Sequence, residues 1–437
     1  MKKRKIIAAV LLVVLFTANC RLFRYLLIDD TTSATRIMMH EFYHQKNIDI
    51  LFVGSSFTTY GVNVCVMDDM LGLNTFSASC AHQTIDTSYA LIREAVGRYD
   101  VKQIYLEMTD VIARQEARRE RTSLADIYLI SDYMRFSPNK VRFLLQASTM
   151  EHYANSFLPA KRNWDKIFYP GYVQELLERK ATETYRQYGY DYVSTDTACY
   201  VGKGYVACDQ VVPECSLYSG WAYEPIDYND ISEDWRDTLE SIMNFCKEEK
   251  VELVLFYPPF SNFVFAEDDH DAYIRIVEEL TEKHGVKFYD FNLCRETYLP
   301  DSTTLFFDAA HLNGTGSSLF SSLWGDLVLG NITEEQLFYS SYSEKKAELQ
   351  PQIYGLSHVE KSDENGNTMN NLRVIANSEE IECRIIITPN EGDAYWIQDF
   401  SENRFFSLPA EENGICTIVW RLKGNPEAVK TVEIPFS

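Results

Sequence analysis

Apolar and polar positions follow two rhythms along the chain. Ile50–Val53 is a short β-branched and aromatic run that stops at Gly54, the pattern of a buried strand. Runs of the same kind lie at Asn74–Ser77, Lys102–Met108, Val251–Phe256 and Val286–Phe291. Between them the period lengthens to that of a helix. Thr31–Lys46 and Asn63–Leu71 have it, and so does Ile85–Tyr99, where Tyr89, Ile92 and Val96 share a side. Ser232 stands as the N-cap of a helix reaching Glu249, with Leu239, Ile242, Met243 and Cys246 facing inward. Ala272–His284 stops at Gly285, and Gly316–Gly330 closes the series. Strands alternating with helices predict an α/β domain, three layers deep, around a mostly parallel five-stranded sheet.

The two ends read differently. Lys2-Lys3-Arg4-Lys5 precedes the apolar run Ile6–Ala18, and positive charge on that side places the amino terminus in the cytoplasm and the rest outside. The run is short for a span of about 20 residues. Leu22–Ile28 completes it, with Arg21 and Arg24 near the outer interface, so residues 1–28 are expected to be an uncleaved, single-pass anchor. A cleaved signal peptide is the rival, but Thr17-Ala18-Asn19 is a poor A-x-A-like site. A lipobox ending at Cys20 fails because Asn19 is not small and Leu15 is too distant. From about Thr333 the texture changes. Asn371–Ala376, Ile381–Ile387, Ala394–Gln398, Ile415–Leu422 and Thr431–Pro435 read as strands between turn signals. Residues 333–437 are thus expected to be a linker and a small β-sandwich, and 29–332 the α/β domain, interrupted by an insertion at about 112–230. That insertion begins with a charged helix, Arg114–Arg121, continues through the aromatic stretch Tyr128–Tyr153, which suits a lid or membrane-facing element, and ends in irregular loop over Tyr185–Tyr223.

Composition narrows the function classes. Hydrophobic residues make up 46% of the 437 and aromatic ones 14%, which marks a folded chain. The formal net charge of -23 argues against nucleic acid as a partner. Ten cysteines are scattered without a CxxC, Cys199, Cys208 and Cys215 falling in one insert and Cys383 and Cys416 in the last domain, with no pairing implied. His40-Glu41-Phe42-Tyr43-His44 fits H-E-x-x-H, which on a helix sets two histidines on one face for zinc. No third ligand follows in a matching downstream helix, so the motif reads as a chance match and neither metal nor cofactor is expected.

The candidate chemistry is elsewhere. Gly54-Ser55-Ser56 follows the first strand, at the end of a parallel sheet where catalytic groups collect. A serine there is a nucleophile if a base takes its proton. Asp308 and His311 are three apart, close enough for the carboxylate to hold Nδ1–H and turn Nε2 toward a hydroxyl.

G-x-S after the first strand with D-x-x-H late in the domain resembles the SGNH (GDSL-like) hydrolase superfamily over roughly Asp49–Trp324. The resemblance implies a flavodoxin-like strand order 2-1-3-4-5 and a triad of Ser56, His311 and Asp308. It implies an oxyanion hole from the backbone N–H groups of Ser56 and Ser79, the latter in Ser79-Cys80-Ala81-His82-Gln83 after the second strand. Glu107 and His82 are further candidates for the substrate site. The superfamily's G-x-N-D block is replaced by Glu107-Met108-Thr109-Asp110, and its Gly-Asp-Ser by Gly54-Ser55-Ser56. In both respects the chain resembles the membrane-anchored, extracytoplasmic members, the D-alanyl-lipoteichoic acid transfer proteins and the SGNH-like proteins of polysaccharide O-acetylation. The implied function is acyl transfer, as O-acyltransferase or O-acyl esterase, on a bacterial cell-surface polysaccharide or teichoic-acid-like polymer, with a membrane-bound O-acyltransferase as a candidate partner. The alternative is a non-catalytic anchored scaffold that docks such an acyltransferase or binds glycan.

Overall fold

A computed structural model describes residues 2–115, 118, 120–121, 123–212, 217–219, 228, 231–266, 268–362 and 367–436. The chain divides into two compact units, residues 1–208 with 231–256 and residues 209–230 with 257–437. In chain order the first strands are β1 Ile50–Gly54, β2 Thr75–Ser79, β3 Gln103–Glu107, β4 Ala198–Gly202, β5 Tyr205–Cys208, β6 Leu217–Ser219, β7 Glu252–Tyr257 and β8 Lys287–Asp290. Five of them form an all-parallel sheet in the order β2-β1-β3-β7-β8. This is the α/β architecture expected from the sequence pattern and the strand order that the family resemblance implies. Every residue of β1 and β2 is buried, as are all but the first of β3 and β7. Parallel strands covered on both faces read as continuous apolar runs instead of alternating ones.

Several helices begin at side-chain caps. α1 spans Lys2–Leu27, α2 Ala34–Phe42, α3 Ser56–Gly61, α4 Val64–Leu71, α5 Ile85–Val96, α6 Glu233–Glu249, α7 His270–His284 and α8 Gly314–Leu329. Ser33 accepts from Arg36 N to start α2, Asn63 from Cys65 and Val66 N to start α4, and Asn313 from Thr315 and Gly316 N to start α8. Ser232 precedes α6 as expected, though its hydroxyl makes no capping bond, and Trp235 joins the four expected residues on the buried face. The first helix of the α/β region is shorter than its periodicity suggested, ending at Phe42 instead of Lys46.

α1 is one continuous helix of 26 residues, about 39 Å at 1.5 Å per residue, longer than the ~30 Å hydrocarbon layer. Residues 3–19 of it are exposed, while its last turn is tied down. Asn163 Nδ2 and Tyr172 Oη donate to Leu27 O at 2.9 and 3.1 Å, and Lys180 Nζ to Tyr25 O at 3.0 Å. Such bonds satisfy the carbonyls a helix leaves unpaired at its end. The chain thus carries an N-terminal helix long and apolar enough to cross a membrane, as an anchor or a signal sequence.

The insertion is more ordered than its composition suggested. Helical segments at Ala125–Ser131, Pro138–Ala147 and Tyr172–Ala181 lead to the β4–β5 hairpin, where irregular loop was expected. Gly204 in that turn has φ 85°, and a Cβ there would lie 1.8 Å from Ser77 O. Only glycine lets the hairpin approach β2 so closely. The charged helix expected at Arg114–Arg121 is not helix at its described positions; Glu116, Ala117 and Arg119 lie outside the described residues, as does Cys215.

In the second unit, β9 Ile353–Ser362, β10 Thr368–Ala376, β11 Ile381–Pro389, β12 Tyr395–Ser401, β13 Phe405–Pro409, β14 Gly414–Leu422 and β15 Asn425–Phe436 build two four-stranded sheets, β13-β10-β9-β6 and β12-β11-β14-β15. Both enclose one apolar core that includes Leu356, Val374, Ile385 and Ile418. The sandwich was expected, but β9, β13 and β6 were not. β6 comes from the insertion and pairs in parallel with β9, Leu217 opposite Leu356. Cys383 and Cys416 are buried thiols in this core, and burial raises both, to about 11 and about 12.

Candidate active site

β1 ends at Gly54, and α3 starts two residues later with Ser55 as its N-cap and Ser56 as its first residue. This short helix was not apparent in the sequence. Ser55 is buried and Ser56 half-buried. What holds the turn is Glu107, at the end of the neighbouring strand β3. Its carboxyl is fully buried and receives Ser55 N at 2.8 Å, Ser55 Oγ at 2.7 Å, Thr58 N at 3.2 Å, Thr58 Oγ1 at 2.6 Å and Thr109 Oγ1 at 3.0 Å. Burial pushes the Glu107 pKa up, and the Thr58 and Ser55 bonds oppose it. Two backbone N–H groups and three hydroxyls thus converge on the carboxyl oxygens. Glu107 is therefore engaged in fixing the backbone around Ser56. Gly54 belongs to the same device, since a Cβ there would meet Glu107 Cβ at 2.6 Å and Thr58 Oγ1 at 2.1 Å.

Ser79 is the last residue of β2, not part of the following loop, and lies opposite Gly54 in the β1–β2 register. Its hydroxyl bonds Thr59 Oγ1 at 2.9 Å and Ser77 Oγ at 2.7 Å, linking β2 to α3. Ser56 and Ser79 thus stand at the same, carboxyl, end of adjacent strands. His82 is an exposed turn residue with φ 52°, a left-handed conformation that is costly outside glycine.

In the second unit, His311 Nδ1 lies 2.8 Å from Asp308 Oδ2 and 3.0 Å from Oδ1. The Asp308 side chain is 37% exposed and that of His311 16%. Asp308 also accepts the backbone N–H of Ala310 and His311, so one carboxylate shapes the turn and holds the ring. Burial alone would raise the Asp308 pKa, but the His311 hydrogen bond and charge and the two backbone donors outweigh it and keep the carboxyl below its ordinary range. A carboxylate can only accept, so Nδ1 carries the proton. Phe307 stacks on the imidazole at 5.1 Å, and the Phe306–Leu312 bridge closes the loop beneath it. Asn313 anchors that loop through Thr304 O at 2.8 Å and Gln210 O at 3.1 Å.

A second Asp–His pair went unnoticed in the sequence because its partners are twenty residues apart with no local motif. His270 Nε2 meets Asp290 Oδ2 at 2.6 Å, with side chains only 1% and 2% exposed. Phe265, Tyr257 and Tyr342 surround the ring.

The H-E-x-x-H residues are otherwise employed. The motif runs past the end of α2, so His44 lies beyond it. Glu41 accepts from Tyr200 Oη at 2.7 Å, Lys203 N at 2.8 Å and Tyr190 Oη, which binds it to the β4–β5 hairpin region. His44 Nδ1 faces His40 O at 2.6 Å, and His40 stacks on Tyr188.

No family model and no curated sequence matches the chain. Among solved structures it is similar to a protein described as an acylhydrolase from Bacteroides fragilis, at 9% identity and TM-score 0.30, covering 67% of this chain and 94% of that one. It is similar also to a catalytic mutant of an acetylxylan esterase from Geobacillus stearothermophilus, at 12% identity and TM-score 0.30, covering 63% and 92%. Likeness that low carries no conclusion about fold or activity, which rest on the chain's own geometry.

Proposed function

We propose that the chain is a membrane-anchored, extracytoplasmic serine acyl-transfer enzyme of SGNH type. Ser56 Oγ attacks the carbonyl of an acyl ester while its proton passes to His311 Nε2. Asp308 fixes the tautomer and stabilises the imidazolium. The N–H groups of Ser56 and Ser79 receive the oxyanion, worth roughly 3–4 kcal/mol for a donor of this kind. Collapse breaks the ester bond, and the leaving alkoxide takes the proton back from His311. A second hydroxyl, of water in an esterase or of a cell-surface sugar or polyol in a transferase, gives its proton to His311 Nε2 and attacks acyl-Ser56; the acyl–Oγ bond breaks and Ser56 Oγ takes that proton back. The observation that carries this reading is the solvent-accessible Asp308–His311 pair with Nδ1 as its contact. The serine held at a braced strand end supports it.

The test is intact-mass spectrometry of the full chain after treatment with a fluorophosphonate, beside Ser56→Ala and His311→Ala. A single stoichiometric adduct, absent from both variants, is expected. A folded protein that takes no adduct would replace this reading with the non-catalytic scaffold, for which Ser56→Ala would still support polymer acylation in cells.

A further inference from the structure

The acidic chain contains a strongly basic hollow. A cavity of about 1120 Å³ opens beside the carboxyl-terminal end of α1, and Thr17, Cys20 and Tyr25 of that helix form part of its wall. Its lining holds seven arginines and lysines against only Asp30 and Asp132. Both acids are already committed. Asp30 lies 3.0 Å from Lys180 and 3.7 Å from Arg36, and Asp132 pairs with Arg162, which is outside the lining. Arg21, Arg24, Arg135, Lys140 and Arg186 remain with no carboxylate partner among the described residues. Arg24 turns to Asp132 O and the Tyr133 ring, and Arg135 to the Tyr43 ring. Unbalanced cations in a confined space call for an anion. Burial, and then the charge of Arg24, push the Lys140 pKa down to about 8, a cost that a bound anion would relieve.

The surroundings indicate where that anion comes from. Phe136, in the lining, is 82% exposed, and outside the lining Trp164 packs on Phe23 of α1 at 5.3 Å. Phe168 and Tyr169 are exposed nearby in the chain. Aromatic side chains beside the end of a membrane helix belong at headgroup depth. We propose that this cavity binds the phosphate headgroup of an anionic membrane lipid, with the guanidinium groups as phosphate forks and these aromatic side chains in the interface. The inference rests on α1 remaining in the membrane and is independent of the serine chemistry.

The experiment is native mass spectrometry of the full chain, purified in detergent and exposed to equal phosphatidylglycerol and phosphatidylcholine. Arg135→Glu/Arg186→Glu is compared with a distant control, Lys247→Glu/Lys250→Glu. The wild type and the control should retain phosphatidylglycerol preferentially, and the cavity variant should lose about tenfold or more of that preference. Equal retention of the two lipids, or a preference that survives charge reversal in the cavity, would overturn the proposal. Excess inorganic phosphate or glycerol 3-phosphate should displace the lipid poorly; displacement at equal concentration would make the site one for soluble phosphate and overturn the lipid assignment. The same spectra give the protein mass. A chain lacking α1 refutes the anchor and the cavity with it, whereas a full-length chain without lipid preference refutes the cavity alone.

Discussion

Among the described residues of the second unit, the Asp308–His311 and Asp290–His270 pairs differ in one physical respect. His311–Asp308 is reached by solvent, with side chains 16% and 37% exposed, whereas His270–Asp290 is sealed at 1% and 2%. Hydrogen-bond lengths do not separate them, at 2.8 and 2.6 Å. Nor does the quality of the carboxylate's support. Asp290 accepts Asn292 N and Nδ2 at 2.9 and 2.8 Å, as Asp308 accepts two backbone N–H groups. Aromatic rings pack around His270 and the pair is closed to solvent, which suits a role in holding the fold. Geometry of the pair alone does not tell the two apart; access to solvent does.

The comparison breaks most visibly if the histidines are exchanged for alanine in turn. His311→Ala should lower the rate of acyl-enzyme formation by about 10⁴- to 10⁶-fold, while costing about 1 kcal/mol or less in urea unfolding. His270→Ala should do the reverse. It leaves Asp290 buried without its partner and should cost about 3–5 kcal/mol, with activity kept in whatever fraction stays folded. If His270→Ala abolished adduct formation in a fully folded protein, the assignment of roles would be inverted. Replacing the carboxylates sharpens the point. Asp308→Asn should reduce the rate by about 10⁴-fold through the wrong tautomer, with a small change in unfolding midpoint. In Asp290→Asn the loss should appear in the midpoint.

The serine side admits a smaller test. Gly54→Ala forces a methyl onto Glu107 Cβ and should cost about 1–3 kcal/mol, displacing Ser55 and Thr58 with it. A variant with wild-type midpoint and wild-type labelling would show that the Glu107 brace is not needed to present Ser56.

These contrasts also mark what local pattern can convey. Strands β1 and β7 were legible because burial on both faces makes them nearly continuous apolar runs, and Gly285 and Ser232 marked helix ends at close range. Asp308 and His311 were legible because three residues of spacing already impose their contact. Glu107 was visible only as a polar residue at a strand end. Its donors Ser55 and Thr58 lie 52 and 49 residues away, and nothing in the local pattern reports which of its candidate roles it serves. β6 was lost for the same reason, since its partner β9 follows 139 residues later by the register of Leu217 with Leu356. The Asp290–His270 pair, twenty residues apart, reads as two ordinary polar residues. Contacts made by chain neighbours leave a period or a motif, and contacts made by topology do not.

The smallest effect concerns acid. Asp308 is held below its ordinary carboxyl pKa in the folded chain, because the His311 bond and two backbone donors outweigh its burial. The unfolded chain, near 3.9, therefore binds this proton more readily than the folded one. The group's stabilisation is fully present above about 3.9 and fades as the pH falls through the lower folded value. Asp308→Asn lacks this term. The gap in urea midpoint between wild type and Asp308→Asn should thus be constant from pH 7 to pH 5 and narrow below pH 4. Partial exposure screens the interaction, so the gap is small throughout and added salt should reduce it further. A gap that stays the same down to pH 3 would mean that Asp308 holds the loop through its shape and neutral hydrogen bonds, and that its charge is reserved for the imidazolium formed during reaction.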